Sequence, residues 1–187
     1  MRLPNSAGGK QKARAAKNLA LRKRLWPDIE SDALWNRQER VGFSTIPRAM
    51  PLLMSIMDDM SKGKPVGASY LEMWCRSYDE GYVILKHDDM AFNAGFSGER
   101  AVRTWKERLR ILCDLGFIDL KDGPSGPASY ALIYNPYQVV ERHHKQGTPG
   151  LTEAGYNSMV HRMSEIGATD LDRDNAAEET EAELETA

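Results

Sequence analysis

The sequence predicts a mainly α-helical chain with a small β hairpin, an α+β architecture, and three observations carry that prediction. Apolar residues recur at helical spacing in several segments separated by Gly and Pro. One stretch, 117–134, alternates with period two about a Gly/Pro-rich turn. The chain has 187 residues, 41% apolar and 28% charged, so it holds material for one core and little room for two full domains.

Residues 1–9 read as loop. From Lys10 alanines and leucines alternate with bases until Trp26-Pro27, and Ala13, Ala16, Leu19 and Ala20 can share a side, which predicts a basic, weakly amphipathic helix. Ile29, Ala33, Leu34 and Trp35 among charges suggest a short helix leading into a body at 42–145. In the body, Leu52, Leu53, Ile56, Met57 and Met60 form a first helix, stopped by Lys62-Gly63-Lys64-Pro65. Ser69 is the expected cap of the next, with Tyr70, Leu71, Met73, Trp74 and Tyr78 on its apolar side and Gly81 closing it.

A β-like run follows at 82–86. Asp88 or Asp89 then offers an N-cap for a brief helix, 90–94, broken by Gly95. Ser97 is the expected cap of a long helix through Leu115, ended by Gly116. Residues 117–121 and 129–134 read as the two strands of a hairpin joined by Asp122-Gly-Pro-Ser-Gly-Pro127. Asn135-Pro136 stops the second strand, 137–145 predicts a further helix, and 151–163 another short one after a Gly147-Thr-Pro-Gly150 linker. Few large apolar residues lie beyond 164, so that end is expected to be disordered. The predicted organisation is a basic arm at 1–41, a body at 42–145, and a linker with an acidic tail at 146–187.

Charge is unevenly spread. The net charge is −2, yet residues 1–27 carry eight bases and no acid, while 164–187 carry nine acids against Arg173 alone. A positive head, a near-neutral middle and a negative end follow.

In the long predicted helix, Val102, Trp105, Leu109 and Leu112 make an apolar stripe, and Arg100, Arg103, Lys106 and Arg110 place four cations along another side. Such a helix fits a major groove, with its first turns meeting base edges. Arg100, Arg103 and Thr104 are the candidates for base contacts, Ser97, Lys106 and Arg110 for phosphate. Gly98 lets backbone amides at the helix start approach an anion. The bland alternative is a solvated face, with Glu99 and Glu107 partly neutralising it and Arg103–Glu107 an ordinary i,i+4 pair.

The order strand, short helix, tight turn, long helix, hairpin over 82–134, with the run Asp89 to Lys121 and its close Asp114-Leu-Gly-Phe-Ile-Asp-Leu-Lys121, resembles the winged helix-turn-helix superfamily of DNA-binding proteins. More loosely, it is similar to replication or regulatory proteins of bacterial plasmids and other mobile elements. The resemblance implies double-stranded DNA as partner. One departure stands out: Lys121 is the only base of the hairpin, where many wings carry Arg or Lys at the tip. Arg14, Lys17, Arg22, Lys23 and Arg24 of the head can supply phosphate contacts instead, or form an exposed solubilising segment.

Enzyme readings find little support. The histidines at 87, 143, 144 and 161 are scattered apart from one adjacent pair. No Cys/His set has zinc spacing, and Gly63-Lys64-Pro65 lacks the surroundings of a phosphate loop. Asp58-Asp59 and Asp88-Asp89 are more cheaply explained at helix ends than as metal ligands. Cys75 and Cys113 sit in apolar helical patterns and read as packing residues. No apolar run reaches the roughly 18–20 residues of a membrane span. The expectation is a cytoplasmic, nucleoid-associated DNA-binding protein without metal or cofactor. A homodimer fits two-half-site reading. A protein-interaction subunit is the alternative, motivated by the weakly charged wing, the Met-rich segment 52–60 and the helix 137–145.

Overall fold

A computed structural model describes residues 6–30 and 33–172. The chain divides between Phe43 and Ser44 into two units. In the first, α1 (Ser6–Leu25) has Arg22, Lys23 and Arg24 in its last turn, where cations suit the negative end of the helix dipole. Leu19, Leu21 and Leu25 are exposed, so the helix buries no stripe within its unit. Of the short helix expected between Asp28 and Phe43, the described residues keep a 3₁₀ end at Ala33, whose amide bonds Glu30 O at 3.3 Å, and no helix over 34–43. Asn36 takes its place, accepting from the Gln38 amide at 3.1 Å and donating to Glu39 at 2.7 Å, side-chain bonds that compete with helical ones. Trp35 and Phe43 meet edge to face at 5.7 Å.

The second unit runs α2 (Met50–Met60), α3 (Gly67–Arg76), β1 (Tyr82–Ile84), α4 (His87–Asn93), α5 (Ala101–Asp114), β2 (Ile118–Gly123), β3 (Gly126–Ile133), α6 (Pro136–Lys145) and α7 (Glu153–Ile166). The architecture is thus mainly helical with a small antiparallel sheet, of order β1-β3-β2. The run at 82–86 joins the hairpin as a third strand, pairing Val83 with Ala131, while Ala131 also pairs with Leu120. The hairpin is longer than the sequence suggests. Its turn is Pro124-Ser125, and a register shift beyond Lys121 absorbs Gly123, Gly126 and Pro127 into the strand ends.

One core joins these elements. Leu53, Met57, Tyr70, Met73, Met90, Trp105, Leu112, Phe117, Val140 and Met159 are fully buried. Burial of Met159 and Met163 brings α7 into that core, which therefore continues past residue 145. The disorder expected from residue 164 does not begin there. Ser164–Ile166 complete α7, and Asp170 accepts from Asn135 Nδ2 at 2.7 Å. Residues 173–187 of the expected tail lie outside the described residues.

Local caps differ from the sequence expectation for identifiable reasons. Ser69 is buried within α3 with its hydroxyl unpaired, because the cap comes from another helix. Asp58 Oδ1 accepts from the amides of Val66 and Gly67 at 2.6 and 2.7 Å, satisfying the first donors of α3. Since α3 ends at Arg76, Tyr78 falls beyond its apolar side and is 91% exposed. α4 begins at His87, so Asp88 and Asp89 lie in its first turn, where their charges suit the dipole.

Two glycines end helices as expected. Gly95 (φ 87°) and Gly116 (φ 72°) adopt the left-handed conformation, each followed by a 6→1 bond, Phe96 N to Ala91 O and Phe117 N to Leu112 O, both 3.0 Å.

Candidate nucleic-acid interface

The candidate site is built on α5. Trp105, Leu109 and Leu112 are buried, and Val102 packs against the core. Arg103, Lys106 and Arg110 are centred about a third of a helical turn from that stripe, since 3.6 residues make a turn, and Lys106 stands nearest to it. Arg103 and Arg110 are exposed, and Lys106 is half-buried. α5 begins at Ala101 rather than Ser97. Gly98 at φ 78° interrupts helical geometry, and Ala101 N closes a turn onto Gly98 O at 3.1 Å. Arg100 is consequently the N-cap residue, and Ser97 lies in the loop before that turn with no capping bond among the described residues. Gly98 faces open space, with nothing within 4 Å of where a Cβ would stand. Thr104 is half-buried on the first turn of the helix, its amide bonded to Arg100 O at 2.9 Å.

The i,i+4 pair expected between Arg103 and Glu107 is not the one that forms. Glu107 bonds Lys64, and its second oxygen lies 3.4 Å from Arg108 Nη1. The Lys64 hydrogen bond above all holds the Glu107 carboxyl below the usual range. Arg100, Arg103, Lys106 and Arg110 make no ion pair among the described residues. Arg108, which the stripe assigned to neither face, lies near the apolar side, its Nε and Nη1 buried without hydrogen-bond partners. Its position three residues after Trp105 is the signal that places it there.

No family model, curated protein or solved structure matches the chain.

Lys121 is exposed on β2 and paired with Asp119 at 3.1 Å, a bond that raises the lysine pKa and lowers the carboxyl's. The hairpin cation is thus already engaged, unlike those of α5. Burial above all, with the Lys106 charge behind it, disfavours protonation of His87, and Trp105 Nε1 donates to His87 Nδ1 at 3.2 Å. α5 is thereby tied to the start of α4. At its other end His143 bridges Leu115 O (Nε2, 2.7 Å) and Thr148 Oγ1 (Nδ1, 2.9 Å), fixing α6 to the exit of α5. His144 stacks on Tyr156 with centroids 3.7 Å apart. The adjacent histidines thus serve two separate packing contacts.

Arg14, Lys17, Lys23 and Arg24 are exposed on α1 and Arg22 is half-buried, all in the first unit. Cys75 is exposed rather than packed, Cys113 half-buried, and burial pushes both thiols up, away from the nucleophilic thiolate. No group of three His, Cys, Asp or Glu among the described residues has metal-site geometry. None of the helices described is long and apolar enough to cross a membrane. An open cleft of about 600 Å³ is lined by residues on either side of Met50, namely Arg48, Ala49, Pro51 and Leu52, and by α7 residues that include His161, Arg162 and Glu165, with no contribution from α5.

Proposed function

We propose that the chain is a sequence-specific double-stranded DNA-binding protein of winged helix-turn-helix type, inserting α5 into the major groove. The observation that carries this reading is the division of α5 into a buried apolar side and a cationic one whose exposed Arg103 and Arg110 make no ion pair among the described residues. The order α3-β1-α4-α5-β2-β3 with a β1-β3-β2 sheet supports it. Arg100, Arg103 and Thr104 take base-edge roles, where arginine can bond guanine through two donors. Ser97, Gly98, Lys106 and Arg110 take phosphate. Arg14, Lys17, Arg22, Lys23 and Arg24 add sequence-independent affinity by releasing counterions. Lys121 contributes only once it exchanges Asp119 for phosphate. The biological role is that of a transcriptional regulator or a replication or maintenance factor of a bacterial mobile element, in the cytoplasm at the nucleoid.

Selection from random duplexes, followed by a salt titration on the winner, tests the reading. A consensus site with steeply salt-dependent affinity is expected, and enrichment of no sequence overturns specificity.

A second reading, a protein-interaction subunit of a nucleoprotein complex, is favoured by the sheet's outward face. There Tyr82, Ile84 and Leu132 are exposed and Tyr82 stacks on Tyr130 at 5.9 Å. A stoichiometric protein partner that survives nuclease treatment would select it.

A further inference from the structure

We propose that the acidic segment 173–187 docks on the cationic face of α5 and competes there with DNA; the competition rests on the DNA-binding reading above, the docking does not. The surface is defined by Arg100, Arg103, Lys106 and Arg110, cations without ion pairs among the described residues, beside a Glu107 that is held first by Lys64, then by Arg108, and only weakly felt by Arg103. The segment carries six acids against Arg173 alone, with Leu184 its single large apolar residue, so its recognition is electrostatic rather than by core burial.

The spacing suits the surface. Glu179, Glu181, Glu183 and Glu185 alternate, which puts four carboxylates on one side of any extended backbone at about 6.6 Å intervals. Along α5, Arg103, Lys106 and Arg110 rise by about 4.5 and 6 Å per step. Flexible side chains bridge that difference. The root is also suitably placed. Asp170 accepts from Asn135, and the next residue back, Tyr134, donates its amide to Phe117 O at 3.0 Å, just past the exit of α5. Fifteen residues reach up to about 50 Å, more than twice the roughly 21 Å length of the helix.

Exposed ion pairs are individually weak and screened by salt. Tethering compensates, because a linked segment faces its site at an effective concentration near the millimolar range. Docking is therefore expected at low salt and absent at high salt, within the range where DNA must displace it.

The test uses the full chain with Glu178, Glu179, Glu181, Glu183 and Glu185 changed together to Gln. In the DNA-free protein at low salt, the Nε–Hε resonances of Arg103 and Arg110 are expected to differ between the two chains and to converge as salt is added. Duplex affinity should rise several-fold in the neutralised chain, an increase that Arg103→Gln with Arg110→Gln removes. Unshifted α5 arginine resonances overturn the docking, as do shifts confined to Arg22 and Arg24 of α1. If neither chain binds duplex, the DNA reading fails while the resonances still decide the docking.

Discussion

Trp105 and His87 are joined by a hydrogen bond in which the indole Nε1 donates to imidazole Nδ1 at 3.2 Å, linking the buried face of α5 to the first residue of α4. The bond requires Nδ1 to be unprotonated. Burial lowers the His87 pKa most, the Lys106 charge adds to it, and the carbonyls of Pro127 and Ala128 with Asp88 oppose. A folded pKa below the unfolded value of about 6.5 means the unfolded chain takes up the proton first as pH falls.

Stability from this pair is accordingly complete above about pH 6.5 and is lost as pH falls through the folded value. Urea midpoints between pH 8 and 5 should decline in the natural chain. His87→Gln, which keeps an acceptor for the indole but cannot titrate, should flatten that part of the profile. Identical slopes in the two chains would remove His87 as the cause.

The two faces of α5 predict opposite mutational costs. Leu112→Ala leaves a cavity in a fully buried site and should destabilise by about 2–5 kcal/mol in denaturant unfolding. Arg103→Ala on the exposed side should stay within about 0.5 kcal/mol. Comparable losses from both would mean that the arginine is structural.

Asp58 caps α3 from α2 through bonds of 2.6 and 2.7 Å. Removing the acceptor in Asp58→Ala should cost about 1–2 kcal/mol, while Asp58→Asn, which retains a carbonyl oxygen, should cost less. An alanine variant as stable as the natural chain would show that water replaces the cap.

Gly116 turns the chain from α5 into β2 at φ 72°, and a Cβ there would stand 3.1 Å from Arg142 Nη2. Gly116→Ala should lower stability by about 1–2 kcal/mol, the cost of left-handed backbone in a residue with a side chain. Thermal unfolding measures this, and an unchanged midpoint would contradict it.

The elements legible in the sequence were those that local chemistry dictates. Gly95 and Gly116 stop α4 and α5 where the residue type alone suggests, and the 105, 109, 112 stripe is buried as its period requires. What escaped depends on contacts between distant residues. Nothing beside Gly67 announces that Asp58, nine positions earlier, is its cap, so Ser69 looked the better candidate. Glu107 likewise has Arg103 as its natural local partner, yet Lys64, 43 positions away, takes it and leaves the arginine open. Glu107 remains close enough for the Arg103 charge to act on it, without an ion pair between the two. The start of α5 was missed for another reason: Ser97 has the chemistry of a cap, but the positive φ of Gly98 keeps the next residues out of the helix.

Groove reading gives Arg100 and Arg103 the base contacts, so the decisive measurement is duplex binding by the double reversal Arg100→Glu with Arg103→Glu. Preference for the selected site over random duplex should disappear while the unfolding midpoint remains near that of the natural chain. Undiminished preference in a folded double variant would contradict groove reading by α5.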